Sequence, residues 1–198
     1  MPADPIDDAI AFLTRPAWPT PVFWLLLLAS LAIALRAWRH IPIRHGAREP
    51  VIWLLRVLVG CLWWQQSLGK LPPGQDRVLE WMQFQVGHAA LGLRQPLLRM
   101  IVLTHFALFA PFIYALQAAI ATSLLLGLFT RLFAAAGAVY ALASWLGLYG
   151  APHSTPWGAM MLVVVMVGFV VDPPGRALGV DAVLRRRLRP ARWLRLLA

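Results

Sequence analysis

The chain has 198 residues, of which 60% are hydrophobic and only 13% charged, with a mean hydropathy of +0.68. Soluble domains run near ~45–50% apolar and ~25% charged, so a typical soluble enzyme, a disordered tail and a fibrous repeat are excluded, and the composition is that of an integral membrane protein. The net charge of +10 rests almost wholly on Arg, placed between apolar runs and at the C-terminus; this is the pattern of membrane topology rather than of nucleic-acid binding.

Five apolar runs suit transmembrane helices of about 20 residues. The first is Val22–Trp38, entered through Pro16, Pro19 and Pro21. Acids (Asp4, Asp7 and Asp8) precede it, and no small-residue cleavage site follows, so it reads as a retained helix rather than a signal peptide. The second is Val51–Leu68, the third Phe106–Phe129, the fourth Leu132–Tyr149 and the fifth Pro156–Val171. Only Thr130-Arg131 separates the third from the fourth, which predicts a tight antiparallel hairpin. Between the second and third lies a long connection, Gly69–Met100, whose stretch Asp76–Leu91 has the apolar spacing of an interfacial amphipathic helix carrying Trp81 and Phe84. The tail Asp181–Leu197 alternates Arg with Leu and Trp193, as an inner-face helix on anionic lipid would.

Loop charges set the orientation. Arg36, Arg39, Arg44 and Arg48 follow the first span, Arg131 sits between the third and fourth, and the tail is strongly basic. The other connections are acidic, mixed or uncharged, so all five spans agree on N-terminus out and C-terminus in. The predicted fold is an all-α integral membrane protein. Residues 1–49 form the outer segment, an extra helix and a basic connection; 50–185 a four-helix membrane domain; and 186–198 a basic amphipathic tail.

Polar groups within spans are costly and therefore informative. Arg56, Gly60, Trp63, Ser67 and Lys70 fall on one face of the second span. Arg56 lies about 8 Å from the inner end at 1.5 Å per residue. Two readings are open for it: snorkelling to the surface, or an interior cation for a polar group or a quinone oxygen. Trp63, Trp64, Gln65 and Gln66 near the outer end suit either a quinone pocket or interfacial anchoring. On the third span Pro111 predicts a kink, and Tyr114 and Gln117 face the same way; Gln117 suits helix–helix bonding or chemistry. His88, His105 and His153 all fall on the predicted outer side. They suit interfacial positions, proton transfer, or metal or haem ligation, the last least favoured because no pair is spaced i, i+4. Cys61, the only cysteine, excludes an internal disulfide relay. No metal site is predicted, and no zincin, phosphate-loop or nucleophile-elbow motif occurs.

Three stretches together resemble the DoxX/DoxD-like family of small membrane proteins. They are Arg56-x3-Gly60 with Ser67-Leu68-Gly69-Lys70-Leu71; Leu126-Gly127-Leu128-Phe129-Thr130-Arg131; and Pro174-Gly175-Arg176-Ala177-Leu178-Gly179-Val180-Asp181. The resemblance spans about residues 50–185 and implies a four-helix core in a bacterial inner membrane. It also implies a relation to the DoxD small subunit of thiosulfate:quinone oxidoreductase. Two departures are Gln117, where the family often has Glu, and the additional helix Val22–Trp38. The residues themselves give Gly127 and Thr130 a sharp helix exit. They leave Asp181 to cap the tail helix or to pair with Arg131 or Arg176.

The leading expectation is a quinone-linked redox subunit binding ubiquinone or menaquinone and passing on electrons from a periplasmic sulfur compound such as thiosulfate. Lys70, His88 and His105 are its candidate catalytic residues, and Arg56, Trp63, Trp64, Gln66, Tyr114 and Gln117 its candidate quinone-binding residues. Besides the lipid bilayer, an outer-face partner subunit or a homo-oligomer is expected, and no nucleic acid. The alternative is a non-enzymatic membrane scaffold that docks a periplasmic or lipoprotein partner on Gly69–Met100. A transporter is disfavoured by the absence of repeats.

Overall fold

A computed structural model describes residues 10–11, 13–14, 18–40, 47–68, 79–80, 82–84, 88, 106–150 and 156–187. Their regular structure is entirely helical: α1 (Pro19–His40), α2 (Arg48–Leu68), α3 (Phe106–Leu126), α4 (Thr130–Leu148), α5 (Pro156–Val171), a 3₁₀ turn Pro174–Arg176 and α6 (Val180–Arg187). Four helices, α1 to α4, are long and apolar enough to cross a membrane. At 16 residues α5 is shorter but wholly apolar. The chain is a helical, multi-pass membrane protein.

Each long helix presents one buried stripe to its neighbours, mixing apolar, small and polar residues. On α1 the stripe is Phe23, Ser30, Ala34 and Ala37; on α2 it is Arg56, Gly60, Trp63 and Ser67; on α3, Ile113, Gln117, Ile120 and Leu124; on α4, Thr130, Ala134, Gly137 and Ala141. These steps of three, four and seven residues place each set on one helix face. The opposite faces carry exposed Leu25, Leu28, Leu55, Leu58, Val139 and Val164. Large apolar side chains cover the outside as well as the core, and such a surface suits lipid.

The most extensive packing joins α4 to α5 and α2 to α3, while α1 lies against α3 and α2. At Gly60 an added Cβ would stand 3.1 Å from Leu125 Cγ and 3.2 Å from its backbone nitrogen, so α2 and α3 meet almost backbone to backbone. The extra helix is no appendage. Phe23 stacks near Trp64 with ring centroids 6.0 Å apart, and Trp53 Nε1 donates to Ser30 Oγ at 3.3 Å.

Two boundaries differ from expectation. The α3–α4 turn is Gly127–Phe129, and Thr130 and Arg131 already belong to α4. Pro111 lies inside α3, in its second turn. The tail helix starts at Val180, and residues 188–198 lie outside those described, as do Lys70, Trp81, His105 and His153.

The antiparallel order brings the C-terminus of α1, the N-terminus of α2, the α3–α4 turn and the end of α5 to one end of the bundle. Contacts there include Arg48 with Asp172, Thr130 with Asp181, and the cluster of Ala34, Ala37 and Leu178. The opposite end carries Met82, packed on Ala110 and Ile113, and His88, whose backbone carbonyl accepts the Gly150 N–H at 3.1 Å.

Candidate functional site

At the basic end the three motifs converge on one buried knot. The helix α3 ends where Gly127 turns left-handed, at φ 71°, and its N–H donates to Ser123 O at 2.8 Å. Ser123 Oγ then donates to Leu128 O at 2.6 Å. Phe129 is also left-handed, at φ 50°, which costs of order 1–3 kcal/mol for a side chain of this kind. Asp181 offsets that cost. Its carboxylate accepts the Phe129 N–H at 2.8 Å, the Thr130 N–H at 3.1 Å and the Thr130 hydroxyl at 3.0 Å. It therefore caps α4 across 51 residues of sequence, satisfying donors that helix starts leave open. In return the Asp181 N–H donates to Gly127 O at 2.9 Å, and the Gly175 N–H to Thr130 Oγ1 at 3.2 Å.

Arg56 closes the knot from α2. It is fully buried, so snorkelling is ruled out. Its guanidinium lies against Gly127 and Gly179, where any Cβ would collide with it, and Nη1 sits 3.4 Å from Pro174 O. Burial pushes the Asp181 carboxyl above the usual range, opposed by the Thr130 and Phe129 hydrogen bonds and by the Arg56 charge. Asp181 thus caps α4, where the sequence suggested a cap on the tail helix or a pair with Arg131 or Arg176.

Mid-bundle, Trp63 is fully buried. Its ring meets Tyr140 edge-on at 5.6 Å, and a Cβ on Gly137 would crowd both Trp63 and Met166. Trp64 is buried on the other side, beside Phe23. Gln117 is fully buried, and Tyr114, one turn earlier, is half-buried. Gln66 is exposed, so it does not share an interior pocket with the two indoles. The indole N–H groups of Trp63 and Trp64, and Nε and Nη2 of Arg56, are buried with no acceptor among the described residues. Each such donor costs about 1–3 kcal/mol if left unmet, and more when charged. They form the interior's unfilled hydrogen-bonding capacity, which sequence alone could not show because it depends on which acceptors the fold brings near.

Tyr140 connects this interior to the opposite end, since it packs on Trp63 and on the cluster of Met82, Ala110 and Ile113. Six residues beyond Met82, His88 Nδ1 lies 2.9 Å from Phe84 O, and its ring stacks near Phe84 at 4.3 Å. A carbonyl only accepts, so Nδ1 is the donor in this contact. Among the described residues no group of three His, Cys, Asp or Glu could hold a metal ion. No protein-family model, curated protein or solved structure matches the chain.

Proposed function

We propose that the chain is a DoxX/DoxD-like inner-membrane protein crossing the bilayer five times, with its basic end at the cytoplasm. In this reading it is the quinone-binding subunit of an oxidoreductase fed from the outer face by a sulfur compound such as thiosulfate. The observation that carries it is the set of buried, unaccepted N–H donors on α2. A quinone supplies carbonyl acceptors on an apolar ring and takes up two electrons and two protons. Trp63 or Trp64 would orient one carbonyl, while Tyr140, Ile120 and Met166 exclude water around Trp63. His88 Nε2, held by the Nδ1 bond to Phe84, would exchange protons at the outer surface. Lys70 and His105 keep their expected outer-face roles in this proposal, attracting a dianion and relaying protons. A partner subunit would oxidise the donor.

Organic extraction of the full chain purified in detergent tests this. The expected result is about one quinone per chain, sharply reduced in Trp63→Phe or Trp64→Phe. Quinone no higher than in an unrelated membrane protein purified alike would overturn it. One observation favours a second reading, a scaffold: Met82 packs on Ala110 and Ile113, and the His88 carbonyl accepts the Gly150 N–H, so these two residues are held to the bundle. A scaffold would bind its partner quinone-free and lose it on changing Gln83 or Phe84, which are exposed.

A further inference from the structure

Between the first turn of α2 and the turn after α5 lies a cleft of about 150 Å³. Arg48 and Arg176 line it together with Glu49 and Asp172, and Ile52 and Pro174 form part of its apolar wall. Arg131 and Arg185 stand close enough for their like charge, after burial, to push the Arg176 guanidinium down, with Asp172 and Asp181 acting the other way. The cleft is lined by Arg48 and Arg176 with Glu49 and Asp172, and Arg176 has Arg131 and Arg185 as further cationic neighbours and Asp181 as a further anionic one. One of the lining acids, Asp172, holds Arg48 at 3.1 Å in a pair exposed to 63% and 73%. Such a pair is weak, and a phosphate competes for it through shorter, charge-assisted bonds in the fork geometry of Arg. The apolar wall continues outward: Val51 and Leu55, on the same face of α2 as Arg48 and Ile52, are both about half exposed. A ligand with an anionic head and an apolar body matches this sequence of surfaces better than a free anion.

The geometry points to a binding site for the phosphate of an anionic phospholipid, in the leaflet at this end of the bundle. Basic pockets between membrane helices are suited to such headgroups. The inference rests on the membrane-spanning reading and is independent of the quinone. The test is thermal unfolding of the full chain in detergent with added phosphatidylglycerol, phosphatidylcholine or inorganic phosphate. Phosphatidylglycerol at ~100-fold excess over Kd should raise Tm by roughly 5–10 °C, and the other two should not. Arg176→Gln should remove most of that rise, and Arg39→Gln, an exposed arginine outside the cleft, should keep it. Should Arg176→Gln fail to fold, Arg48→Gln replaces it, since that side chain is exposed. Equal loss in the cleft and control variants would mean diffuse surface charge and overturn the site. So would no shift at all, or an equal shift with inorganic phosphate, which would mark a soluble-anion site. Quinone content should not change in any of these variants, so failure here leaves the redox proposal standing, and the reverse.

Discussion

Asp181 and Thr130 stand 51 positions apart, yet the Asp181 carboxylate accepts both the backbone N–H and the hydroxyl of Thr130, at 3.1 and 3.0 Å. This relationship fastens the turn after α5 to the start of α4, and Arg56 of α2 supplies the countercharge. Asp181→Ala would leave the Phe129 and Thr130 donors unmet and Arg56 without its anion. The expected loss is about 2–3 kcal/mol, the upper range for buried donors left unmet, with the nearby Arg56 charge adding to it. Asp181→Asn keeps one acceptor and should lose only about 1–2 kcal/mol. Thermal unfolding in detergent ranks the two, and equal losses would deny the role of the charge.

The glycines of the knot give a second prediction. A Cβ on Gly127 would collide with Arg56, at a backbone φ of 71° that disfavours side chains. A Cβ on Gly175 would stand 2.7 Å from Thr130 Oγ1 and 2.8 Å from Gly127 O. Either Ala variant should lose about 2 kcal/mol or more. Gly168→Ala meets nothing within 4 Å and should be neutral or stabilising by up to about 1 kcal/mol, through helix propensity. A stability scan that found all three alike would contradict the packing.

Much of this was legible in sequence, for identifiable reasons. Hydropathy located the four helices long enough to span and the shorter apolar α5, because each apolar run must satisfy its own backbone in lipid. The seven-residue spacing of Arg56 and Trp63 placed both on the buried face of α2, as found. The three motifs could be seen singly, but not that they meet, because the contact between Asp181 and Thr130 leaves no periodic trace. Gln66 misled for the opposite reason: it adjoins the buried tryptophans in sequence, yet a helix turns ~100° per residue and carries it outside.

Burial holds the Asp181 carboxyl above the ordinary aspartate range in the folded chain. The folded state therefore keeps this proton to a higher pH than the unfolded chain does. Between the two values stability falls as pH rises, then levels off above the folded value. Asp181→Asn cannot titrate, so the stability of wild type minus variant should shrink with rising pH across that window. Unfolding midpoints against pH measure it, and a difference that grows with pH would reverse the sign of the account.

The Arg48–Asp172 pair is exposed on both sides and should matter little to the fold. Asp172→Asn should change stability by less than about 1 kcal/mol. A larger loss in the same unfolding assay would show that the pair is more shielded than its exposure indicates.

The central claim is that buried indole donors of α2 hold a quinone carbonyl. Infrared difference spectroscopy of the full chain loaded with carbonyl-¹³C ubiquinone reads that bond directly. The account predicts a carbonyl band shifted down from its position in apolar solvent, returning towards that position in Trp63→Phe or Trp64→Phe. A band at the solvent position in wild type, or a shift that both variants leave untouched, would contradict it.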